Sequence, residues 1–175
     1  WDRPAQPSTS ASARESGREV LAAISGFANT NDAHHQTASS PEGIGARMAM
    51  EQALKMAGLS PADIQALNAH GTATSNNDLT EGIAISNLFG SSVPMISSTK
   101  SFTGHTLGAS GSIEAVYSIL SLSEQKIFPN LRLETPIPEH GFEAVRVLTD
   151  CKIEHIMSNS FGFGGNCSSI IFSAT

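Results

Sequence analysis

The sequence is short of cysteine, of positive charge and of long apolar runs. Each shortage excludes something. Two cysteines, Cys151 and Cys167, in 175 residues give neither a disulfide framework nor a zinc-ligand spacing, and a reducing cytoplasm is the default compartment. Ten Lys and Arg stand against 16 Asp and Glu, a net charge of −6. They form no basic face, which argues against nucleic acid as a partner and against one large basic docking surface made by this chain alone. No apolar run is long enough to cross a bilayer. The start, Trp1-Asp2-Arg3-Pro4, lacks the basic-then-apolar pattern of a signal peptide. The content is 39% hydrophobic and 15% charged, which suits a globular protein of one domain with a real core.

Residues 1–17 read as a linker or fragment end, with Pro4, Pro7 and a Ser/Ala run at 8–13. Beyond them, strands and helices alternate. A strand is predicted over 19–30, then a helix begun by Ser40-Pro41-Glu42 and stopped at Gly58. Ser60-Pro61-Ala62-Asp63 caps a very short helix. A strand over 64–69 is followed by a helix capped by Asn76 or Asn77 and ending at Gly90. A buried strand over 93–96 leads to a helix carrying Ile113, Val116, Tyr117 and Leu120. Pro129, Pro136 and Pro138 mark an extended connection. Two last strands are expected over 145–148 and 168–173. This order implies an α/β fold, a mixed sheet covered by helices.

Chemistry concentrates in three loops. His70 follows the 64–69 strand. Lys100 follows the 93–96 strand, and His105 sits where the next helix is expected to begin, a position whose field favours a neutral imidazole. Phe161 to Asn166 holds three glycines and two phenylalanines in six residues, and an aromatic on such a hinge can act as a gate. Loops at one end of a sheet can converge on one pocket. Two neutral imidazoles can donate N–H bonds to an oxygen gaining negative charge. Lys100 is expected to pair with Glu81. The His34-His35 pair lacks a third ligand at metal spacing, so no metal site is assigned.

Four motifs, in order, carry a family resemblance: Asn68-Ala69-His70-Gly71-Thr72-Ala73-Thr74 with Asp78 and Glu81, Ser98-Thr99-Lys100-Ser101, Gly104-His105-Thr106-Leu107-Gly108-Ala109-Ser110-Gly111, and Asn159-Ser160-Phe161-Gly162-Phe163-Gly164-Gly165. From about residue 19 onward the chain resembles the C-terminal half of a β-ketoacyl-acyl carrier protein synthase, a condensing enzyme of the thiolase fold. Residues 18–175 are then a C-terminal thiolase-like domain with a mixed five-stranded sheet.

The resemblance implies roles. His70 and His105 bind the malonyl thioester carbonyl and stabilise the enolate left by decarboxylation. Lys100 orders them, with Glu81 as its partner and Asp78 as a supporting acid. Thr72 and Thr74 hold the phosphopantetheine arm of the carrier protein, and no separate cofactor is needed. Phe163 gates the acyl pocket with Phe161 behind it, and Thr37 lies near the mouth.

The family's nucleophilic cysteine lies in its N-terminal half. No matching motif occurs here, so Cys151 and Cys167 are assigned as structural or incidental. The order Gly165-Asn166-Cys167 departs from the Gly-Thr-Asn of many relatives. The implied partners are acyl carrier protein, the missing half and a second synthase subunit, in a homodimer or heterodimer. A half standing alone is expected to expose an apolar face. Two other readings stay open: a non-catalytic chain-length-factor-like subunit, and a hydrolase or metal protein built on the histidines.

Overall fold

The structure, a computed structural model, describes residues 10–175. The part of the expected linker at 1–9 lies outside the described residues. The part at 10–15 is not irregular: Ser10–Glu15 forms a short helix, α1.

Among the described residues there are seven strands and five α-helices. The strands are β1 (Ala23–Asn31), β2 (Ala66–Asn68), β3 (Met95–Ser97), β4 (Lys126–Ile127), β5 (Thr149–Asp150), β6 (His155–Gly162) and β7 (Asn166–Ser173). The longer helices are α2 (Ile44–Ala57), α3 (Ser75–Phe89) and α5 (Ser110–Glu124), with the one-turn α4 (Lys100–Thr103). The main sheet has five strands in the order β1-β7-β6-β2-β3. β2 runs parallel to both β3 and β6, while β7 is antiparallel to β6 and β1. This is the mixed, helix-covered α/β sheet the sequence predicts, and it places the ends of β2, β3 and β6 side by side.

Strand alternation splits the core in two. Met157 and Ile171 face α2 and α3 with Met50, Leu54, Leu67 and Ile85. Their neighbours Ile156 and Phe172 face the other way, with Leu122 of α5, Ile127 and Ile153.

Several expected boundaries moved. The fourth main-sheet strand is 155–162, not 145–148. Val147 and Leu148 are exposed, and Val145 belongs to no strand, donating to Ile96 O (2.8 Å) and accepting from Asn130 N–H (2.7 Å). Helix α2 starts at Ile44, a turn later than the Ser40 signal; Ser40 Oγ still accepts the Ile44 N–H at 3.0 Å. Thr74, not Asn76 or Asn77, is the N-cap of α3. The stop of α2 at left-handed Gly58 holds.

Helix α5 inverts the polarity its apolar residues suggest. Ser110, Glu114, Ser118 and Ser121 are buried against the sheet, while Val116 and Leu120 are exposed. On the same face, Ile24 and Phe27 stand opposite Phe172 and Ile170 in the β1–β7 register and are exposed too. A helix that turns serines to its own sheet and valine and leucine outward fits a buried middle layer.

Candidate active site

The His70 loop is built by a buried carboxylate. β2 ends at Asn68, and Ala69-His70-Gly71 turns across the start of α3. Glu81, on the second turn of α3, accepts the N–H groups of His70 (Oε1, 2.9 Å) and Gly71 (Oε2, 2.9 Å). Asn159 Nδ2 donates to the same carboxylate at 3.2 Å. Burial pushes the Glu81 carboxyl above the usual carboxylate range, against the pull of these donors. Gly71 has a φ of 43°, and an added Cβ would meet the Ser98 Cβ at 2.6 Å. The loop thus needs glycine to pass so close to the Lys100 segment.

Lys100 does not pair with Glu81. Its ammonium group bonds Glu114 of α5, and the two side chains are 4% and 2% exposed. The same carboxylate accepts Ser160 O–H (3.0 Å) and Ser110 O–H (3.5 Å). The expected partner failed for a geometric reason. Glu81 spends its oxygens on the His70 loop, and an acid one turn into α5 lies nearer the ammonium group. The lysine is fixed from behind as well, because Asn68 Oδ1 accepts the Thr99 N–H at 3.1 Å.

His105 does not begin α5. It precedes a 3-10 turn, Leu107–Ala109, and the helix starts at Ser110. Its Nδ1 accepts the Leu107 N–H at 3.2 Å, with Leu107 at a left-handed φ of 53°. A neutral His105 therefore carries its proton on Nε2, as a donor.

The two imidazoles meet, with ring centroids 5.4 Å apart and planes at 88°. His70 is buried and His105 exposed. Burial, then the charge of Lys100, then His105 lower the His70 pKa from its ordinary 6.5 to about 3. His70 is consequently neutral at physiological pH, and its Nδ1 has no hydrogen-bond partner. Two N–H donors from different loops, with a buried ammonium behind them, can bind an oxygen that gains charge.

The other expected residues divide. Phe161 packs on the His70 ring at 5.3 Å. Phe163, at the hairpin tip, is 82% exposed. The aromatic against the histidines is thus Phe161 rather than Phe163. Asp78 accepts the Ala73 N–H at 3.1 Å and so shapes the 71–74 turn. The Thr72 and Thr74 hydroxyls bond each other at 3.0 Å. The loop holding Thr37 borders the hairpin, where Gln36 O accepts the Gly164 N–H at 2.8 Å.

Cys167 is buried, and burial, with Asp32 and Glu81, pushes its thiol up to about 12. Cys151 Sγ donates to Lys152 O at 3.5 Å. Among the described residues no group of three His, Cys, Asp or Glu could hold a metal, and no helix is long and apolar enough to cross a membrane. A cavity of about 170 Å³ lies behind Glu81, lined by Ile85, Ile96, His140 and Phe142, but neither His70 nor His105 lines it.

Sequence reasoning missed Glu114, and it quoted Asn159 and Ser160 only as part of a motif, without their bonds to Glu81 and Glu114. The signal for Glu114 was there: an acid four residues after Ser110, with no other charged residue in the helix until its last, Glu124.

This arrangement has relatives. Residues 21–134 match the family "Beta-ketoacyl synthase, C-terminal domain", and the chain belongs to that family. It is 46% identical over 164 residues to the 3-oxoacyl-[acyl-carrier-protein] synthase 2 of Staphylococcus aureus, covering 92% of this chain and 41% of that protein. A ketosynthase of a type II polyketide system, solved with its acyl carrier protein, superposes with a TM-score of 0.91 at 31% identity, over 95% of this chain and 41% of that one. A ketosynthase from Xenorhabdus doucetiae, solved with its chain length factor, gives 0.78 at 37% identity, over 90% and 40%. The chain thus spans about two fifths of the length of the proteins it matches, and its fold is the thiolase-like fold of ketosynthases.

Proposed function

We propose that the chain supplies the decarboxylating half of an elongating 3-oxoacyl-acyl carrier protein synthase, in fatty-acid or polyketide biosynthesis. The observation that carries this reading is the meeting of His70 and His105 at 5.4 Å, with Lys100 buried behind them. A malonyl thioester carbonyl oxygen accepts an N–H from each ring. The bond from the α-carbon to the carboxylate breaks, carbon dioxide leaves, and the electron pair becomes an enolate held by the two donors. The α-carbon then attacks an acyl thioester carried on a cysteine of the N-terminal half, and that thiol is expelled. Cys167 is unsuited to the nucleophile's part, since a buried thiol with so high a pKa is almost never a thiolate.

Thr72 and Thr74 line the approach of the phosphopantetheine arm, and Phe161 and Phe163 form the gate. Asp78 supports the turn that carries the threonines. The partners are acyl carrier protein, the N-terminal half laid on the open α5 face, and a second subunit. The exposed Val116, Leu120, Ile24 and Phe27 support the second of these. The second reading is a chain-length-factor-like subunit, favoured by relatives solved together with such a factor. The retained His70, Lys100 and His105 favour the enzyme.

The test is release of carbon dioxide from malonyl-acyl carrier protein by the full-length protein. His70→Ala and His105→Ala should each lower it about 100-fold or more, as loss of an oxyanion donor does. Unchanged rates in both would refute the assigned roles.

A further inference from the structure

The two buried carboxylates of the site lie on opposite faces of the sheet, yet consecutive residues of one strand hold them. Asn159 has no exposed surface and points to the α2–α3 face. There its Nδ2 donates to Glu81 Oε1 at 3.2 Å and touches Met50 Sδ at 3.4 Å. Its Oδ1 accepts the Ser169 hydroxyl from the register partner on β7, which fixes which way the amide faces. Ser160 points to the α5 face, where its hydroxyl donates to Glu114 Oε2 at 3.0 Å. Phe161 comes next, against the His70 ring, and then the hairpin tip with Gly164 and Gly165 at φ of 80° and 79°.

We propose that Asn159 and Ser160 are positioning residues. From the fixed base of the 161–165 hairpin they set Glu81 and Glu114, and through these the His70 loop and Lys100. The hairpin then moves only beyond Ser160, and its movement leaves the histidine and lysine geometry in place. Glu81 accepts one backbone N–H at each oxygen, and Asn159 adds the side-chain donor that ties this buried carboxylate to β6.

The proposal rests on the decarboxylation reading, and the test separates the two. In the full-length protein, Asn159→Leu removes one donor from Glu81. Lys100, His70 and Cys167 are titratable groups whose fields reach or adjoin Glu81, Asp78 and His140 share the cavity behind it, and all of them stay. The remaining burial then favours protonated Glu81 up to a higher pH. For decarboxylation of malonyl-acyl carrier protein, kcat should fall about tenfold or more with KM within about twofold, and the acid limb of the pH profile should rise by about one pH unit. Ser169→Ala should move the limb the same way by less. Ser160→Ala should lower kcat and add nothing to Glu114→Gln, because both act through one carboxylate.

A merely structural defect would scale the profile without moving its limb. If Asn159→Leu does not fold, Ser169→Ala and the Ser160–Glu114 pair decide. An active wild type with an unmoved limb in Ser169→Ala, or independent effects of Ser160→Ala and Glu114→Gln, overturns the proposal alone. An inactive wild type overturns the functional reading and this proposal together.

Discussion

The Lys100–Glu114 pair makes the sharpest stability prediction. Both side chains are almost wholly out of water, at 4% and 2% exposure. With Lys100→Met the carboxylate of Glu114 keeps only two neutral donors, Ser160 and Ser110. Stripping one partner from a buried pair costs about 3–5 kcal/mol, whereas replacing both charges is near neutral. Lys100→Met should thus destabilise the full-length protein by about 3 kcal/mol or more, and adding Glu114→Gln should return most of that. The coupling in the double-mutant cycle should be about 2 kcal/mol or more. Glu81→Gln should couple to Lys100→Met far more weakly, since the Glu81 carboxylate bonds backbone N–H groups and Asn159 instead. Urea unfolding at constant m-value is the assay. Additive effects of Lys100→Met and Glu114→Gln, within about 0.5 kcal/mol, would refute the pairing. So would equal coupling to Glu81.

Other outcomes follow from the same geometry. The His70 pKa is lowered from 6.5 to about 3, so between these values the unfolded chain binds a proton that the folded one does not. Stability should then fall on acidification from pH 6.5 toward 3, by up to about 1.4 kcal/mol per pH unit from this group. The His70 imidazole should show no titration by nitrogen NMR between pH 5 and 8; a midpoint near 6.5 would contradict its burial. Gly71→Ala must place a methyl group 2.6 Å from the Ser98 Cβ at a φ of 43°. It should cost about 1–3 kcal/mol in a denaturation curve. Cys167 should resist alkylation in the folded protein at pH 7.5, and Cys167→Ala should keep decarboxylation within about twofold of wild type.

Much of this was legible in the residues, and the failures have physical causes. The loops bearing His70, Lys100 and His105 stood out because each follows an apolar run closed by glycine and polar residues. The sheet was legible as alternation of strands and helices. β6 was hidden because its outer half, Ser158-Asn159-Ser160, is polar, and a strand whose side chains bind buried carboxylates does not look like a core strand. Val145 to Leu148 looked like one and is mostly exposed. Helix α5 misled for the opposite reason: Val116 and Leu120 point outward, and Ser110, Glu114, Ser118 and Ser121 form the buried face with Leu122. The Lys100 partner could not be chosen by spacing, because Glu81 and Glu114 both lie within two turns of a helix start. Only the sheet order places Glu114 against the ammonium group and Glu81 under the His70 loop.

The proposed chemistry turns on the imidazoles of His70 and His105 sharing one oxygen. A crystal structure of the full-length protein with a non-decarboxylating malonyl-thioester analogue tests this directly. The expected result is the thioester carbonyl oxygen within about 3 Å of a nitrogen of both His70 and His105. An analogue whose carbonyl touches neither ring, or only one of them, would contradict it.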